Sequence, residues 1–74
     1  MSEASETVRG VSLDQWIALY DEIAALARAG LPLDQGLLGF GRDVPGRLGD
    51  LARALAGRLE RGEDLPTALR AEGR

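Results

Sequence analysis

The sequence predicts an all-α domain, a small antiparallel bundle of about four helices arranged as two helical-hairpin units. Three observations predict it. Leucine and alanine recur at spacings of three and four along most of the chain. Glycine and proline cluster where those runs stop and restart. With three valines and two isoleucines, the chain has no period-two run from which a strand could be built. At 74 residues, 45% hydrophobic and 28% charged, it has the size and composition of one folded domain, read here as residues 12–73. Residues 1–11 are polar and aperiodic and read as a flexible N-terminal arm. A domain this small buries only roughly 60% of the surface its unfolded chain exposes. Lacking cysteine, it has no disulfide to reinforce it, so helix packing or a partner must supply the stability.

The first helix is expected over 13–29. Ser12-Leu-Asp-Gln15 has the form of a capping box, and Val11 before the cap with Trp16 at the fourth helical position suits a hydrophobic staple. Leu13, Trp16, Ile17, Leu19, Tyr20, Ile23, Ala24, Leu26 and Ala27 occupy about half the circumference. So wide an apolar face, carrying two aromatics four residues apart, marks this helix as the central element of the core. Gly30 supplies its left-handed stop, and Pro32 fits the first position of the next helix.

In the second helix Leu33, Leu37, Phe40 and Val44 form one stripe, but Gly36, Gly39 and Gly41 interrupt it. Each glycine weakens a helix interior by roughly 0.8–1 kcal/mol relative to alanine. The glycines either admit another backbone at close range or leave the helix short and frayed. The sequence favours fraying, because no apolar excess offsets three of them. Val44-Pro45-Gly46 is a break. The third helix carries the leucine stripe Leu48, Leu51, Leu55 and Leu59 with Ala52 and Ala56 beside it, and ends at Gly62. Asp64 caps a last helix with Pro66 in its first turn and Leu65, Ala68 and Leu69 inward, fading near 72–73. Gly30 with Pro32, and Gly62 with Pro66, thus form two similar structural corners.

Composition removes most chemistry. Without histidine or lysine the chain lacks the commonest general base, the commonest metal ligand and any Schiff-base amine. Its few hydroxyls have no base nearby in sequence, so no catalytic residue, cofactor site or metal site is assigned and the protein is read as no enzyme. A net charge of −3 speaks against nonspecific nucleic-acid binding. No apolar run approaches the ~20 residues of a membrane span. The first ten residues lack the apolar core of a signal peptide. The expected location is cytoplasmic.

Three groups of residues are candidates for recognition. Arg42, Arg47, Arg53, Arg58 and Arg61 crowd the third helix and its approach. Asp50 and Glu60 are interleaved with them, so a solvated face with local pairs is favoured over a docking surface for an acidic partner. Asp14, Asp21 and Glu22 form an acidic strip that lacks the convergent oxygens a calcium site needs, and reads as solvent-exposed. Trp16 and Tyr20, with Leu19, Ile23 and Leu26, are the interface candidates. They serve as core or as a contact face, because the apolar half of helix one is wider than three short helices can cover.

Three stretches resemble the F domain of the type II secretion system, the platform-protein family shared with type IV pilus assembly. They are IAALARAGLPLDQGL at 23–37, LGDLARALAGRLERGEDL at 48–65 and LPTALRAEG at 65–73. The resemblance implies an all-helical cytoplasmic module that binds rather than catalyses, in a platform that helps couple an assembly ATPase to pilin or pseudopilin polymerisation. Family proteins carry two such domains with membrane-spanning helices, and each domain continues with further helices. This chain is read as a truncated single copy whose open apolar surface favours self-association. Its expected partner is protein, either a second copy as a homodimer or a component of the secretion machinery. The alternative function is a small helix-turn-helix DNA-binding regulator, suggested by short helices and by the arginines of helix three.

Overall fold

The computed structural model describes residues 10–73, so most of the arm expected at 1–11 lies outside the described residues. The fold is all-α, a small bundle of four helices: α1 (Leu13–Arg28), α2 (Leu33–Asp43), α3 (Gly46–Glu60) and α4 (Leu65–Glu72). Each boundary has a local chemical cause. At the start of α1 the Ser12 hydroxyl accepts from the Gln15 N–H at 3.1 Å, and the Ser12 N–H donates to Gln15 Oε1 at 2.9 Å. The capping box is therefore complete. Val11 and Trp16, the two staple residues, both pack against the core.

The two corners are built alike. Gly30 and Gly62 sit at φ of +70° and +101°, where an L side chain is strained. At the first corner the N–H of Leu31 reaches back to the carbonyl of Leu26, and that of Gly30 to Ala27. At the second, the N–H of Glu63 reaches Arg58 and that of Gly62 reaches Leu59. Both are the paired bonds of a Schellman stop. Pro32 stands one residue earlier than the sequence suggests. It is the N-cap of α2 in extended conformation, and its carbonyl accepts from the Gly36 N–H at 3.0 Å. Leu33 opens the helix.

Two sequence expectations are overturned. The central element is α3, not α1. It buries Leu48, Leu51, Leu55, Ala52, Ala56 and Gly49, and it touches every other helix, while α4 packs on α3 alone. The most extensive helix pair is α2 with α3, which joins the two expected hairpins rather than lying within either. Nor is α2 frayed: it runs unbroken for 11 residues through all three glycines. Two of those glycines are notches. A Cβ on Gly36 would lie 2.5 Å from a Leu26 methyl, so Leu26 of α1 plugs the gap. A Cβ on Gly41 would lie 2.7 Å from Arg53 Cγ and 3.0 Å from the Gly49 carbonyl oxygen. Across the same contact, a Cβ on Gly49 would lie 2.0 Å from the Val44 carbonyl oxygen. Propensity lost inside α2 is recovered as close backbone approach.

Two of the three arginines of α3, Arg53 and Arg58, are tied down, while Arg47 is exposed. Arg53 pairs with Asp50 on its own helix and donates to the Gly41 carbonyl across the α2–α3 contact. Arg58 Nε donates to Glu72 at 2.6 Å, and its Nη1 reaches both oxygens of Glu63 at 3.3 Å. One guanidinium so binds the end of α3, the corner and the end of α4, and both carboxylates hold its proton more tightly than usual. At the start of α4 the Asp64 carboxylate accepts from the Thr67 N–H at 2.9 Å. Thr67 holds the Asp64 carboxyl below the ordinary carboxylate range, helped by the charge of Arg70.

The glycine contact and the cap each yield a prediction. Gly49→Ala should destabilise the fold by about 2 kcal/mol or more, because the methyl meets backbone that cannot give way. Gly39 faces open space, so Gly39→Ala should stabilise by up to about 1 kcal/mol. Urea midpoints followed by circular dichroism separate the two. Because the folded pKa of Asp64 is depressed, its contribution is present above the unfolded value of about 3.9 and lost as pH falls through the folded value. The stability advantage of the parent over Asp64→Ala should accordingly be full at neutral pH and shrink below about pH 4, read from paired thermal melts.

Candidate functional site

The apolar half of α1 divides into two faces. Leu19, Ile23 and Leu26 are buried in the core, with Trp16 partly buried beside them. Of the five interface candidates, these three aliphatics are therefore spent on the domain's own packing. Tyr20 is exposed and stacks on Trp16, with ring centroids 5.8 Å apart and planes at 29°. Beside Tyr20 the outer surface carries Leu13 and Ile17, which the sequence places on the apolar half without singling them out. Leu13 is 75% exposed, Ile17 49% and Tyr20 50%, and Leu31, just beyond the helix, is 54%.

The outer residues share a spacing. Leu13, Ile17, Tyr20, Ala24 and Ala27 are separated by four, three, four and three residues. That alternation keeps one seam facing a second helix. Ala27 is exposed and Ala24 half-buried, so the seam stays open along its length. Asp14, Asp21 and Arg28 follow Leu13, Tyr20 and Ala27 by one residue and line the seam's outer flank. All three are exposed, and none has an ion-pair partner among the described residues. The signal for this face was the excess width of the apolar arc; its division into inner and outer halves depends on where α2 and α3 dock.

The other candidates do not converge on a site. Asp14 and Asp21 stand along the flank of α1 and Glu22 lies apart from them, and no group of three or more potential metal ligands occurs among the described residues. A shallow groove between α2 and α3 is lined by Asp34, Leu38, Arg53 and Glu60, and its arginine is already paired to Asp50. α3, which a helix-turn-helix reading would send into a DNA groove, is the most buried helix. No helix among the described residues is long and apolar enough to cross a membrane.

The family described as Type II secretion system (T2SS), protein F matches residues 19–74. The chain belongs to the type II secretion system protein F family. The match spans most of α1 and all of α2, α3 and α4, including both glycine corners. It opens at Leu19, the first fully buried residue of α1, so Leu13 and Ile17 precede the matched part. No curated protein and no solved structure matches the chain. The family is one of secretion-platform proteins, a transport family rather than a known enzyme family, and it implies protein partners in the secretion machinery.

The two faces of α1 should separate on mutation. Leu19→Ala removes a fully buried side chain and should cost about 2–5 kcal/mol. Ile17→Asp changes a half-exposed position and should cost well under about 1 kcal/mol. Denaturation midpoints of the two variants against the parent check the assignment.

Proposed function

We propose that this chain is a non-enzymatic interaction module of the secretion platform, acting at the cytoplasmic side of the inner membrane. It docks a helix of a protein partner on the outer seam of α1. The seam is the observation that carries the reading. A folded domain leaves scattered apolar residues in water without consequence, but a four-three alternation of exposed residues on one helix has the period of helix pairing. The absence of histidine, lysine and cysteine from the chain leaves binding as the activity its residue types best supply. Membership of the F family supplies the setting. The partner is either a component of the secretion machinery or a second copy of this chain.

A photo-crosslinking residue at position 17, with a control at the exposed Arg61, tests the reading. Purified assembly ATPase and pilin-like subunit from the same organism are the probes, alone and together. Crosslinks from position 17 to either protein, or between copies of the chain, with none from position 61, support the module. Equal labelling from both positions removes the seam from the reading.

A further inference from the structure

We infer that the groove between α2 and α3 receives a lysine side chain from a partner protein. Its ammonium group sits between Asp34 and Glu60, and its alkyl stem lies on Leu38, Ala56 and Gly57. This site is separate from the α1 seam, and neither depends on the other.

The groove has a volume of about 140 Å³ and joins an apolar floor to acidic walls. Leu38 of α2 is among the large apolar side chains that the fold leaves exposed, and Ala56 and Gly57 of α3 lie across from it. The carboxylates stand on opposite walls, Asp34 in the first turn of α2 and Glu60 at the last residue of α3. Neither has an ion-pair partner among the described residues. The bond that Asp34 accepts, from the Gln35 N–H at 2.8 Å, comes from a neutral donor. Arg53 also lines the groove, but it bonds Asp50 and the Gly41 carbonyl, so its charge is already spent. The groove therefore presents two unmatched negative charges beside exposed apolar surface.

Two of these residues are costly to the domain itself. A glycine inside a helix is less stable than an alanine. At Gly36, Gly41 and Gly49 the chain's own atoms fill the missing Cβ position at 2.5, 2.7 and 2.0 Å. At Gly57 a Cβ would meet nothing closer than Arg61 Nη1 at 3.5 Å. The domain's packing does not require that glycine, yet its bare backbone deepens the groove. Glu60 sits in the last turn of its helix, where the dipole favours a cation and not an acid. Both costs fall on one groove, and an entering cation with an apolar stem offsets both.

Lysine and arginine each combine a charged tip with such a stem. The walls favour lysine. An ammonium is a compact charge with three donors and can serve two carboxylates on different helices. A guanidinium is a flat fork suited to one carboxylate or to an aromatic face, and no aromatic lines the groove. The chain contains no lysine, so the occupant belongs to a different protein and not to a second copy. One side chain in an open groove binds at about millimolar strength, and the lysine is one element of a larger contact.

Amide chemical shifts of the isotopically labelled 74-residue chain, titrated with a blocked Ala-Leu-Lys-Leu-Ala peptide, read the site. The expected result is saturable shifts confined to residues 34–38 and 53–60, weakened by salt. The acetyl-lysine peptide should not bind, and the arginine peptide should bind about threefold or more weakly. Asp34→Asn and Glu60→Gln should each weaken binding several-fold. Gly57→Ala should weaken it about tenfold while melting no lower than the parent. No saturable shift up to about 20 mM peptide overturns the site, as do shifts centred on α1 or binding indifferent to both carboxylate variants. Equal binding of the acetylated peptide overturns the ionic contact, and equal binding of the arginine peptide overturns the assignment to lysine. Free n-butylammonium binding as tightly as the peptide overturns docking of a protein segment. A Gly57→Ala chain that binds normally, or that melts below the parent, overturns the role given to the glycine.

Discussion

Everything in this fold depends on how closely the backbones of α2 and α3 approach. At Gly41 and Gly49 neither glycine puts a Cβ between the two helices, and the space is filled by carbonyl oxygens and the stem of Arg53. The Arg53 guanidinium then closes over the contact by bonding the Gly41 carbonyl. That proximity brings Leu37 of α2 into the core that α3 fills with Leu48, Leu51 and Leu55. α1 and α4 are laid onto this pair, α1 through Leu26 in the notch at Gly36 and α4 through Ala68 and the Arg58–Glu72 bridge. A domain of this size has little surface to bury, so it gains density where it can, by removing side chains from the contact that matters most.

What the sequence made legible follows the range of the interactions involved. The capping box at Ser12 and Gln15, the stops at Gly30 and Gly62 and the cap at Asp64 are all settled within four or five residues, and each could be placed from residue type alone. The glycines of α2 could not. Gly41 and Gly49 are eight positions apart and belong to different helices, so propensity registered only their cost and not the contact they permit. The same limit hid the pairing of Arg58. Glu60 is nearer to it in sequence, yet the chain reverses at Gly62 and delivers Glu63 and Glu72 instead. The candidate site was half legible. The width of the apolar arc on α1 showed that some of it would remain uncovered, but only the docking of α2 and α3 decided that Leu19, Ile23 and Leu26 face inward while Leu13, Ile17 and Tyr20 face out.

α1 therefore presents two different apolar faces on one cylinder. Its inner face is committed to the domain, and its outer face carries the spacing of a helix that has not finished packing. The family assignment covers the inner face and all that follows it. The outer seam straddles the start of the matched part: Leu13 and Ile17 precede it, while Tyr20, Ala24 and Ala27 lie within it.

The short link between α2 and α3 also bears on how the chain reaches its folded state. Only Val44 and Pro45 separate the two helices that share the most extensive contact. Bringing them together closes almost no loop, so the entropic cost of the first tertiary encounter is small. Contacts local in the chain favour fast assembly. Residues 33–60 are therefore expected to collapse first, with the two terminal helices condensing onto them afterwards.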